Sequence, residues 1–147
     1  MIRNLFLIHP SNTNFMASVS ASIKKELYKV EITSPTGNVV IADEPTELGG
    51  GNKGFSPTEL LASALAACTS ATLRMYADRK GWQLDEVKID VKLHRDNDIN
   101  ETHILTQLEL IGNLDDQQRE RLMQIAGKCP VNKILSNPIR IEGQLIK

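Results

Sequence analysis

Two thiols are the side chains whose types could do chemistry: Cys68 and Cys129, the only cysteines in the chain. There is no C-x-x-C pair, and His9, His94 and His103 offer no ligand spacing beside them, so the pattern gives no zinc site. Two readings stand side by side. In one, both thiols are small buried hydrophobes in a reducing compartment. In the other, one thiolate attacks an oxidant and becomes a sulfenic acid, and the second resolves it to a disulfide. The second reading requires the fold to bring them together.

Local sequence treats the two differently. The i±3 and i±4 neighbours of Cys68 on a helix are Ala64, Leu65, Ala71 and Thr72, an apolar setting that disfavours a thiolate unless a cation or donor reaches in from elsewhere. Cys68 also lies too far from the helix start for the macrodipole to help. An apolar wall of this kind favours organic hydroperoxides over hydrogen peroxide. Cys129 precedes Pro130, which is pre-set for a first helical position, and so Cys129 falls at an N-cap facing free backbone N–H groups. Lys128 and Lys133 add positive charge nearby. Local physics therefore favours Cys129 as the thiolate, with a plain capping role as its structural alternative.

The elements that must position these thiols can be read along the chain. Residues 1–15 form an N-terminal extension: a disordered arm, an added edge strand or an upstream extension of the reading frame. They are too short for a secretory signal and lack a small-residue cleavage site. One domain covers residues 16–147. Residues 17–42 alternate with period two and predict three strands, with Ser34-Pro35-Thr36-Gly37-Asn38 as a hairpin turn. The glycine run from Gly49 to Gly54 wraps something or is mobile, and it lacks the G-K-[ST] ending of a phosphate loop.

Ser56, Pro57 and Glu59 stand as N-cap, first helical residue and N3, which predicts a helix from Pro57 to about Arg79, stopped at Lys80-Gly81. From Leu60 to Leu73 it carries no charge on any face, which calls for enclosure by a sheet and a second helix, from this chain or a second subunit. Two further strands follow over 82–92 and 103–112. A second helix runs over about 115–127, with Leu114, Leu122, Ile125 and Ala126 inward and Asp116, Arg119 and Glu120 outward. A short helix covers Val131 to Leu135, and Ile139, Ile141 and Leu145 predict a last strand. The order βββ-α-ββ-αα-β is an α+β domain.

Composition narrows the function classes. The chain has 147 residues, 17 basic against 18 acidic side chains and a formal charge of −1, which leaves no electrostatic footprint for nucleic acid or an anionic membrane. The 14-residue charge-free run from Leu60 to Leu73 is shorter than the roughly 20 residues needed to span a bilayer. A domain of this size needs no disulfides for stability, so its cysteines are available for chemistry.

Gly54-Phe55-Ser56-Pro57-Thr58-Glu59-Leu60-Leu61 running into Ala66-Ala67-Cys68, with Cys129-Pro130-Val131 on a later helix, resembles the OsmC/Ohr family of thiol-dependent peroxidases over residues 16–147. The resemblance implies an OsmC-like fold in an intertwined homodimer, with two active sites at the subunit interface, in the cytoplasm. It implies an antioxidant, stress-response activity in which Cys68 is peroxidatic and Cys129 resolving, opposite to the order local electrostatics favours. It further implies no bound cofactor, a small organic hydroperoxide as substrate, and a dithiol or lipoyl-type reductant.

The best-known branch holds its peroxidatic thiolate with an arginine from the N-terminal strands, steadied by a glutamate directly after the helix-start proline. Here no arginine occurs between Arg3 and Arg74, and Thr58 follows Pro57 with Glu59 one step later. Lys24, Lys25, Lys29 and Lys53 are the cations in that stretch, and Glu59 is the carboxylate for a site role beside its capping role. A non-enzymatic binding or carrier module, with an apolar pocket at the dimer interface, is the competing function. A purely structural dimer is the third.

Overall fold

The computed structural model describes residues 17–146, so expectations for the N-terminal extension lie outside the described residues. The chain divides into two units, 1–54 and 55–147.

In the first unit, short alternating segments rich in Val and Ile form strands β1 (Ser20–Ile23), β2 (Val30–Thr33) and β3 (Val39–Ala42), antiparallel in the order β1-β2-β3. The predicted turn joins β2 to β3: the Gly37 N–H donates to the Ser34 carbonyl at 3.0 Å, with Gly37 at φ +86. The glycine run does wrap something. The Asp43 carboxylate, 2% exposed, accepts from the backbone N–H groups of Glu44 (2.8 Å), Gly51 (3.1 Å) and Lys53 (3.1 Å). Three donors on one buried carboxylate order a loop that composition alone leaves free. Gly50 permits it, because a Cβ there would collide with the Glu44 carbonyl.

The second unit is built on α1 (Pro57–Lys80), β4 (Gln83–Asp96), β5 (Glu101–Asn113), α2 (Asp116–Ala126) and α3 (Pro130–Leu135). The long hairpin β4-β5 is antiparallel, with a bulge between Leu84 and Glu86. Helix α1 starts and stops where its caps predict, with Gly81 left-handed at φ 67 as the stop. Its residues Leu65, Thr69, Leu73 and Ala77 recur every fourth position and are buried, so they form one stripe along the helix. An 18-residue window of α1 reaches a mean hydropathy of 1.2, enough by length and composition to cross a membrane. Here that helix packs against β4, α2 and α3. The core gathers Leu73 and Ala77 of α1 with Leu84, Leu114, Leu122, Ile125 and Ala126.

Two sequence expectations are corrected. Arg119, expected on the outer face of α2, is half-buried and donates to the carbonyls of Leu110 (2.5 Å) and Gly112 (3.2 Å). Arg74 does the same for Leu84 and Asp85 on the opposite strand. The bulge frees carbonyls from the ladder, and two guanidinium groups satisfy them. The expected last strand is not formed: among the described residues no strand follows α3. Period-two apolarity marks a face, but a strand exists only where a neighbour supplies N–H and C=O partners. Ile139, Ile141 and Leu145 are instead 58%, 91% and 84% exposed. Within this one chain, α1 is enclosed along one stripe, with Leu61 and Met75 exposed.

Candidate functional site

Cys129 is the N-cap of α3, with φ −64 and ψ 147, and its Sγ accepts the Asn132 N–H at 3.3 Å. Pro130 fixes this arrangement by occupying the first helical position. The thiol is fully buried, and its second neighbour is the Thr69 hydroxyl at 3.5 Å. Thr69 itself is 3% exposed. It follows Cys68 directly in α1, so its Cα lies about 3.8 Å from that of Cys68. The packing of α3 on α1 thus carries Cys129 to the helical turn that bears Cys68. Cys68 is half-buried, and both cysteines are free thiols.

Thr69 is the residue that sequence reasoning missed. Its signal was legible: a lone hydroxyl at the second position of the Leu65-Thr69-Leu73-Ala77 stripe must find a partner once that stripe is buried. The Cys129 sulfur is that partner.

Glu59 stands nine residues before Cys68, roughly 13 Å along the axis at about 1.5 Å per residue. Its carboxylate accepts the Ser56 N–H at 2.7 Å while its own N–H donates to the Ser56 hydroxyl at 3.3 Å. The bond from Ser56 holds the Glu59 carboxyl below its ordinary value. A carboxyl whose folded-state pKa is depressed contributes stability above its unfolded value, about 4.3, and loses it as pH falls through the folded value. Thermal melts of the wild type between about pH 6 and about pH 3 should therefore carry an acid-side loss that Glu59→Gln lacks. Parallel melting curves for the two proteins would show that the box contributes nothing.

Of the lysines that precede α1, Lys53 and Lys29 are engaged with Glu26, at 2.5 and 3.9 Å. The hydrogen bond between them pushes the Lys53 ammonium up and the Glu26 carboxyl down from their usual ranges. Among the described residues no three His, Cys, Asp or Glu side chains converge as a metal site would require.

A buried cap cysteine held against the cysteine-bearing turn of a long core helix, between a two-stranded and a three-stranded segment of sequence, defines a class of α+β thiol proteins. The family model described as OsmC-like protein matches residues 50–143, and the chain belongs to that family. No curated protein sequence matches it significantly. Among solved structures, it is similar to an OsmC-like protein from Mycoplasma pneumoniae, at 21% identity and a TM-score of 0.72 over 84% of this chain and 89% of that one. It is similar also to the organic hydroperoxide resistance protein OhrB of Bacillus subtilis, at 26% identity and a TM-score of 0.58 over 82% and 90%. A third is an organic hydroperoxide resistance protein from Legionella pneumophila, at 21% identity and a TM-score of 0.63 over 84% and 91%.

Proposed function

We propose that the chain is a cytoplasmic, cysteine-based peroxidase that reduces organic hydroperoxides and is regenerated by an external dithiol, with no bound cofactor. The observation that carries this reading is the contact of the Cys129 sulfur with Thr69, beside Cys68. The naming of several structural relatives as organic hydroperoxide resistance proteins supports the substrate class. The Cys68 thiolate attacks the distal oxygen of the hydroperoxide; the O–O bond breaks, the alkoxide leaves as the alcohol after taking a proton, and Cys68 becomes a sulfenic acid. The Cys129 thiolate then attacks that sulfur; the S–O bond breaks as the disulfide forms, and the departing hydroxide takes a proton to become water. A dithiol, of lipoyl type, takes the oxidation away by two exchange steps.

The functional form is a homodimer. The exposed apolar side chains of Leu61, Ile139, Ile141 and Leu145 lose solvent contact only if another surface covers them. Light scattering should give twice the mass of one chain, and a monomer at micromolar concentration would exclude this assembly.

The deciding experiment is dithiol-dependent consumption of an alkyl hydroperoxide by the wild type and by Cys68→Ser. The variant should fall to the background rate, a loss on the order of a thousandfold or more. Equal rates would remove Cys68 as nucleophile. Saturable binding of the hydroperoxide without turnover in the wild type would leave a binding or carrier module.

A further inference from the structure

We propose that the groove between α1 and α2 is a binding site for the oxyanion head of a small amphipathic molecule, an alkyl carboxylate or alkyl phosphate. The groove is a cavity of about 480 Å³, within the size range of small-molecule sites. Met75 and Ile125 give it apolar walls, and Thr72, Arg79, Arg121 and Lys128 line it beside them.

Its centre is Tyr76. The Arg79 guanidinium lies 5.5 Å from the ring centroid, Lys80 5.9 Å and Arg121 5.9 Å, and the Arg121 Nε–H donates to the phenol oxygen at 3.1 Å. Among the described residues, none of Arg79, Lys80, Arg121 and Lys128 has a carboxylate within 4.0 Å. Cations gathered on one ring repel each other, and the ring's quadrupole only partly offsets that. The positive field shows at the phenol, which Arg121 chiefly holds below the usual tyrosine range. An oxyanion relieves the repulsion and matches the planar guanidinium forks.

The apolar walls decide the rest of the ligand. Met75 lines the groove and is 70% exposed, and a bare inorganic anion would leave that surface uncovered. A concave groove of this size fits one molecule rather than a membrane face. Thr72 follows Cys68 by four residues, so the groove begins one helical turn from that thiol on the same side of α1. The site itself does not depend on thiol chemistry.

Trp82 is the only tryptophan, and its ring meets Tyr76 edge-on at 5.6 Å, so its emission reports on the groove. Decanoate or decyl phosphate should change that emission saturably, and decanol should not. Arg121→Gln should weaken the binding about tenfold or more, as expected for loss of a charge-assisted hydrogen bond. Arg79→Gln should weaken it in the same direction, and Lys88→Gln, on the exposed face of β4, should leave it unchanged. The proposal is overturned if decanol binds as tightly as both anions, if inorganic phosphate matches decyl phosphate, or if neither arginine variant shifts the affinity. It is overturned also if neither anion binds, including the case where the chain instead sediments with anionic phospholipid vesicles. Because no peroxide is used, none of these outcomes depends on the peroxidase assignment.

Discussion

Cys129→Ser is expected to lower steady-state, dithiol-dependent hydroperoxide turnover on the order of tenfold or more while leaving a burst of one equivalent per Cys68. The fold should survive the change. Serine is among the preferred N-cap residues, and its hydroxyl can accept the Asn132 N–H and face Thr69 as the sulfur does now. What serine cannot do is attack a sulfenic sulfur and leave a disulfide. The Cys68 sulfenic acid should therefore persist after one turnover and be trapped by a dione reagent, visible as one mass adduct per chain. Wild-type turnover with no trapped adduct would take the resolving role away from Cys129. The cap makes this an unusually clean substitution, since the same atom position serves structure in both proteins and redox chemistry in only one.

Leu122→Ala should cost the fold about 2–5 kcal/mol. Leu122 is fully buried on α2, in the cluster with Leu73, Ala77, Leu84 and Ile125, and truncation removes buried methyl groups and leaves a cavity the neighbouring helix can only partly fill. For a domain of this length that corresponds to a fall in Tm of roughly 10 °C. Met123, the next residue, is 52% exposed, and Met123→Ala should stay within about 0.5 kcal/mol of the wild type. Denaturant midpoints of the two variants decide the matter: equal losses would mean that α2 does not pack as the structure describes. Because α2 also supplies Arg119 to the bulge carbonyls of β5, loss of its seating should loosen that hairpin end as well.

The helices were the most legible part of the chain. Ser56, Pro57 and Glu59 determine the start of α1, and Gly81 its stop, because capping needs only neighbouring residues and backbone groups one turn away. Asp115 with Gln118, and Cys129 with Pro130, do the same for α2 and α3. Strand positions were legible too, since alternation records which side chains share a face. The last strand was not, because Ile139, Ile141 and Leu145 alternate correctly and still lack a partner within the described chain. Alternation states a preference for pairing and carries no information about where the pairing edge is.

The candidate site divides along the same line. The two cysteines, their positions on helices and the capping role of Glu59 are properties of sequence, each set by residues within about four positions of it. The meeting of Cys129 with Thr69, sixty positions earlier, the N–H groups of Gly51 and Lys53 on Asp43 and the approach of Arg121 to Tyr76 came only from tertiary structure. Each joins groups at least eight positions apart, and burial of one stripe of α1, the close approach at Gly50 and the packing of α2 on α1 choose those partners. Short-range chemistry settled what each element is, and the exclusion of water from the surfaces between elements settled which of them touch.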